Sequence, residues 1–552
     1  MKILKWKISK TDIRLKNIPS LVILIFSFFV TSNINYLFYN SLDSPDFTKY
    51  SVYFNYLFGD IDTTSREQGV LYYLVNSYNL FFNNSQINDT NASYLLSKHI
   101  QDVNNIFFLI GLIGMYKLLM SMGFKKKNVF YTLTLANFLP ISIAIRIILK
   151  PEIIVFAFLP WVFYFIEQFF ITKKNKFLYY AIPSLVICIT SKSSLAAMTL
   201  LFIFIVYFKK LLALDLKKIV IPILLFSMIF FAVSFENYNL NTLNIINFTP
   251  DEKYENTADI EMLWNLDFED LFNSPFKYMD SNSLSTFLFL DTFGDYLDIY
   301  WNNDSQYFSY GTLAIIEYEK DNSRISPSID ISSKKITLYQ SIAGDASYKN
   351  SGRYSRAVLG IFCTILFYLF LIKRISTKEE NYKFLLGPTV GIFVLLFVSI
   401  TGIPVKNWNP NTMDTLKSIY YSPLFIISFC ILLCIYFSKN SFNYLLTFPT
   451  VLIFLYLIGF PKTYDLDLLS LISYSNEFSP FCKFNNLYFQ FSDFASGVCT
   501  GNLQYPVTPR FRVPEFVDFV KLPKFLIYNL SIIILALGSI ILNFYKKIEV
   551  SN

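Results

Sequence analysis

Apolar runs of membrane length recur along the whole chain, separated by short polar gaps and three long ones. The runs fall at 20–38, 106–122, 129–148, 153–172, 178–190, 195–208, 219–234, 357–372, 384–402, 420–437, 443–460 and 525–544. Each is near the length that a helix needs to cross a bilayer, roughly 20 residues. The pattern predicts an all-α polytopic membrane protein of about 12 transmembrane helices. The first run lacks a small-residue cleavage site and reads as a retained span. Runs 178–190 and 195–208 are short, and one 31-residue helix over 178–208 is the alternative to two spans hinged at Ser191-Lys192-Ser193-Ser194.

Charge orders these runs. Basic residues cluster in alternate gaps: Lys2 to Lys16, Lys125–Lys127, Lys173/Lys174/Lys176, Lys209/Lys210 with Lys217/Lys218, Lys373/Arg374/Lys378/Lys383, Lys439 and Lys546/Lys547. By the positive-inside rule these gaps and both termini are cytoplasmic. The gaps 39–105, 236–356 and 461–524 are then external. A single helix over 178–208 would put Lys173/Lys174/Lys176 and Lys209/Lys210 on opposite faces, so two spans fit the charges better. Residues 236–354 hold nineteen acidic and eight basic residues, a charge of −11. With a total of +7, the remainder carries +18. That excess lies between apolar runs and signals topology rather than nucleic-acid binding.

The loop 236–356 is too long for a bare connection and predicts a small external domain of mixed character. Within it, 281–301 reads as an amphipathic helix with Asp291, Asp295 and Asp298 on one face. These three are a solvated face or, alternatively, a site for Mg²⁺ or Mn²⁺ or for an acceptor sugar. No other feature requires a cofactor. The single His99 excludes a His-rich metal centre. Four of the six cysteines, Cys188, Cys363, Cys430 and Cys434, lie in apolar runs as packing residues, while Cys482 and Cys499 share one polar loop and could pair if it faces an oxidising compartment, or stay free.

There is no P-loop, dinucleotide fingerprint, Ser/His/Asp triad or zinc motif. The long polar segments are external, where nucleotide sugars are absent, so an external transferase would use an activated lipid phosphate. Such chemistry needs a carboxylate to accept a hydroxyl proton, cations for the departing phosphate and an apolar groove for the lipid. Asp46, with Asp43 beside it in Ser41-Leu42-Asp43-Ser44-Pro45-Asp46, supplies the carboxylate; capping of the following helix is the other role open to either. Arg146, Lys150 and Lys192 are candidate phosphate ligands, with interfacial snorkelling as the alternative. Glu152 pairs with a cation or touches substrate. Arg66 and Glu67 are further candidates for substrate contact.

The order of these motifs resembles the GT-C superfamily of polyprenyl-phosphate-dependent membrane glycosyltransferases, and in particular bacterial proteins similar to dolichyl-phosphate-mannose–protein mannosyltransferases. Asp46-Phe47-Thr48-Lys49-Tyr50 looks like the acidic motif of that family's first external loop. Glu67-Gln68-Gly69-Val70-Leu71-Tyr72-Tyr73-Leu74 is similar to its His-Pro-Pro-Leu-Tyr-Tyr-Leu segment, without the His and the prolines. Lys150-Pro151-Glu152 resembles its Arg-Pro-Glu turn, and Ser191-Lys192-Ser193-Ser194 its Thr-Lys-Gly-Ser turn. Phe293-Gly294-Asp295-Tyr296 with Trp301 also looks like a loop motif of these enzymes. The resemblance covers about 1–375 as a catalytic module, leaving 376–552 as additional helices with the external loop 461–524. It implies inverting sugar transfer from a polyprenyl-phosphate donor to a glycan, lipid or protein acceptor at the outer face of a bacterial inner membrane, with Asp46 as base. An O-antigen-polymerase-like or ligase-like enzyme relying on Arg353, Arg356, Arg510 and Arg512 is the alternative. A lipid or glycan transporter fits less well, because Gly and Pro are scarce.

Overall fold

The computed structural model describes residues 18–38, 71–72, 75–76, 90–212, 216–234, 288, 292, 351–378, 381–401 and 418–439. These are almost entirely helical, and no strand occurs among them. The helices are α1 (Ile18–Phe38), α2 (Thr90–Ser121), α3 (Lys126–Phe138), α4 (Pro140–Ile147), α5 (Glu152–Thr172), α6 (Lys176–Ser191), α7 (Ser193–Leu212), α8 (Leu216–Ser234), α9 (Ser351–Ser376), α10 (Gly387–Thr401) and α11 (Ser422–Lys439). The predicted runs from 20–38 to 420–437 all fall on these helices. The runs 443–460 and 525–544 lie outside the described residues. So do the acidic face Asp291/Asp295/Asp298 and the Cys482–Cys499 pair.

Three helical stretches are long and apolar enough to cross a membrane: His99–Ser121, Glu152–Thr172 and Ser418–Lys439. A fourth results if Lys126–Phe138 and Pro140–Ile147, bent by 61°, are one broken span. The remaining apolar helices are shorter. Large apolar side chains on α1, α7, α8 and α9 point outward, among them Phe29, Leu200, Ile221, Met228, Phe362 and Leu369. Such a surface is a liability in water and a match for lipid. By contrast α11 is buried over nearly its whole length.

Side-chain pairs fix the helix directions. Phe108 stacks on Phe156 at 4.9 Å, and further along Trp161 Nε1 donates to the Ile110 carbonyl at 3.0 Å, so α2 and α5 run parallel. Tyr116 stacks on Phe130 at 5.5 Å, which brings α3 back along α2. The Phe165 and Tyr180 rings are 5.7 Å apart and Cys188 Sγ lies 4.0 Å from the Val155 carbonyl, so α6 returns along α5. Lys192 meets Glu152, Tyr207 Oη donates to the Phe163 carbonyl and Lys210 meets Glu167, so α7 turns again and runs parallel to α5.

The chain therefore reverses at Lys192, whose backbone is extended (φ −165°, ψ 142°). Two helices, not one, occupy 176–212. Lys173/Lys174/Lys176 and Lys209/Lys210 consequently lie at the same end of the bundle. α11 runs antiparallel to α3, through Cys434 with Thr132 and Ser438 with Asn128. α9 runs with α11, through Phe367 on Phe425 at 4.8 Å and Phe370 on Tyr436 at 5.4 Å. Hence Lys125–Lys127, Lys373/Arg374 and Lys439 join the same end. The opposite end gathers Thr31, Asn104, Lys150, Glu152, Lys192 and Tyr420.

Apolar burial between helices drives little association in lipid, so close packing and internal hydrogen bonds carry more of it. Gly111 and Gly114 on α2 let Phe156 and Trp161 of α5 approach the backbone. A β-carbon at Gly111 would lie 2.6 Å from the Phe156 ring and 2.7 Å from its carbonyl oxygen. On α10, Gly387 and Gly391 do the same for Ser428 of α11 and for Tyr421 in the turn just before it.

Candidate functional site

The site begins at a proline. Pro140 has no N–H, so α3 cannot continue through it, and α4 departs at 61°. α4 ends after two turns, and Ile148 is extended (φ −81°, ψ 142°). Lys150 precedes Pro151, which disfavours the helical region for it, and α5 starts at Glu152. A break of this kind leaves backbone carbonyls to be satisfied internally at membrane depth. Arg146 and Asn104 satisfy them.

Arg146 is fully buried. Its Nη2 donates to the Asn137 carbonyl (3.1 Å), Nη1 to Thr31 Oγ1 (3.0 Å) and Nε to the Ser142 carbonyl (3.1 Å), and its guanidinium lies 4.7 Å over Phe108. The Asn137 carbonyl would have taken the N–H of residue 141 in a continuous helix. Asn104 Nδ2 donates to the carbonyls of Ile148 (2.9 Å) and Arg146 (3.2 Å) on the far side of the same break. Tyr72 Oη in turn donates to Asn104 Oδ1 at 2.8 Å. Burial pushes the Tyr72 phenol well above its usual range, and the nearby Glu152 charge adds to this, so the hydroxyl stays protonated and remains a donor.

This bracing presents three charged side chains. Lys150 is 1% exposed and Glu152 0%. Lys192, arriving from the α6–α7 reversal, places Nζ 3.2 Å from Glu152 Oε1. Both lysines cap one aromatic ring: Lys192 Nζ is 3.7 Å and Lys150 Nζ 4.7 Å from the centroid of Tyr420. Tyr420 belongs to the short 3-10 turn Ser418–Tyr421 that leads into α11. Its neighbour Tyr421 shares a 2.8 Å hydrogen bond with Thr292, which therefore lies at the same end of the bundle. Glu152 stands in the first turn of α5, where the helix dipole favours an anion. Its second oxygen, Oε2, is buried with no hydrogen-bond partner.

Of the residues expected from sequence, Lys150, Glu152 and Lys192 come together. The Arg146 guanidinium is engaged by protein oxygens and the Phe108 ring, and acts as a strut behind the turn. Asp43, Asp46, Arg66, Glu67 and Asp295 lie outside the described residues. Tyr420, Asn104, Thr31 and Asn137 were not singled out by sequence. A Tyr pair opening an apolar run and polar residues early in another were the available signals, and neither specifies a partner. Among the described residues no group of three or more His, Cys, Asp or Glu side chains is placed to hold a metal ion.

Lys150 is buried while Lys192 keeps some exposure and pairs with Glu152; ammonium groups withdrawn from water are favoured where anions or polar groups meet them. Two lysines that both approach the Tyr420 ring, at the end opposite the basic clusters, offer positive charge to an anion such as a phosphate or carboxylate group. Comparison with family models, with curated proteins and with solved structures finds no match.

Proposed function

We propose that the chain is a polytopic membrane glycosyltransferase of about 12 spans, with both termini cytoplasmic, in a bacterial inner membrane. Residues 1–375 form its catalytic module. It moves a sugar from a polyprenyl-phosphate donor to an acceptor hydroxyl at the outer face. The observation that best supports this reading is the pairing of Lys150 and Lys192 on Tyr420, at the bundle end away from the basic clusters.

In this reading the donor phosphate sits against Lys150 and Lys192. Asp46 accepts the proton of the acceptor hydroxyl as its oxygen attacks the anomeric carbon. The bond from that carbon to the phosphate oxygen breaks, and the phosphate leaves with the electron pair. The charge it gains falls where the two ammonium groups already stand, which is electrostatic stabilisation without reorganisation. The configuration at the anomeric carbon inverts. The acceptor is a glycan, lipid or protein.

The test is transfer of radiolabelled sugar from polyprenyl-phosphate donors in membranes of the source cell. Asp46→Asn is expected to lower transfer by roughly a hundredfold or more at unchanged protein level, the scale of a general base. Full transfer by that variant would overturn the assignment of the base.

A further inference from the structure

Glu152 is a carboxylate with one oxygen accounted for and one not. It is fully buried, Oε1 takes the Lys192 ammonium at 3.2 Å, and Oε2 has no hydrogen-bond partner. A buried carboxylate oxygen without a donor forfeits the hydration it had in water, a penalty that native structures rarely leave unmet. The oxygen belongs to a cluster held in place from both sides. Asn104 and Arg146 fix the backbone turn that precedes Glu152, and the reversal at Lys192 fixes its partner.

We propose that Glu152 Oε2 is a recognition atom, accepting a hydrogen bond from a hydroxyl of the sugar carried by the phosphate bound at Lys150 and Lys192. This rests on the proposed donor site and adds to it a residue that reads the glycosyl group. In the proposed donor site a ligand brings an anionic group to the lysines and, next to it, a neutral hydrogen-bond donor for the unpartnered carboxylate oxygen. A glycosyl phosphodiester has both. A simple alkyl phosphodiester has only the first. Glu152 is thus a specificity-determining residue, while the lysines bind any phosphodiester of suitable tail.

The probes are charge-matched: methyl citronellyl phosphate, and the mannosyl and glucosyl citronellyl phosphodiesters, each a monoanion with the same tail. Affinities are measured on the full-length protein in detergent. The wild-type chain is expected to bind at least one hexosyl diester roughly ten- to a hundredfold tighter than the methyl diester, the range of one hydrogen bond to a charged group. Glu152→Gln should cut that preference at least fivefold while the methyl diester still binds. Glu152→Asp keeps the negative charge but draws both oxygens back by one methylene, and should also reduce the preference; it serves as the readout if Glu152→Gln does not fold.

A preference retained in full by both variants would overturn the proposal, as would a wild-type chain indifferent to the sugar. Failure of the donor site has a different signature: no binding of the methyl diester, or binding untouched when Lys150 and Lys192 are neutralised.

Discussion

Lys192 and Glu152, 40 positions apart, are joined at 3.2 Å across the reversal between α6 and α7. The pair ties the start of α5 to the start of α7, and Glu152 has no exposed surface. Removing one member of a buried pair leaves an uncompensated charge. Lys192→Met is therefore expected to destabilise the protein by about 3 kcal/mol, and the double variant with Glu152→Gln by clearly less. Chemical unfolding in detergent micelles measures this, and additive losses would show that the pair is not coupled.

The strut behind the site depends on a forked cation. Arg146 makes three hydrogen bonds to protein oxygens and lies over Phe108. Arg146→Met leaves the Asn137 carbonyl and Thr31 hydroxyl without their donor, at a cost of about 3 kcal/mol or more. Arg146→Lys should recover little, since one ammonium cannot span three acceptors arranged for a guanidinium. The midpoint of unfolding reports both, and a lysine variant as stable as the wild type would contradict this role.

Close packing of α2 on α5 makes its own prediction. Gly111→Ala would put a β-carbon 2.6 Å from the Phe156 ring and 2.7 Å from its carbonyl oxygen, costing about 1–3 kcal/mol through displacement of α5. Gly123→Ala meets no atom within 4 Å, and its strain is confined to a backbone at φ +84°, about 1–2 kcal/mol. Melting temperatures of the two variants should differ in that order, with Phe156→Ala partly rescuing only the first.

The reversal at Lys192 places Lys174 and Lys209 at one end of the bundle. In a background without the native cysteines, Lys174→Cys and Lys209→Cys should react with an impermeant maleimide from the same side of the membrane. Labelling from opposite sides would restore the single long helix.

Much of this architecture was legible in the sequence, because apolar runs and basic gaps obey physics that acts residue by residue. Every predicted run within the described residues falls on a helix. The charge pattern alone favoured two helices over 178–208, and the contacts of Lys192 and Lys210 with α5 agree. The site was legible only in part. Lys150, Glu152 and Lys192 stood out because charges interrupt apolar sequence. Tyr420 and Asn104 did not, since their significance lies in what the fold sets against them. Arg146 shows the converse. A charge at a helix end reads like a ligand, yet the break at Pro140 leaves carbonyls that only a long, forked donor can reach.

The central claim is that Lys150 and Lys192 form a phosphate site at the bundle end away from the basic clusters. Its most direct measurement is the affinity of the purified protein for citronellyl phosphate, before and after Lys150→Met and Lys192→Met. The account predicts at least tenfold weaker binding for each variant, about 1.4 kcal/mol, and no measurable binding for the double variant. Undiminished affinity in the double variant would contradict it.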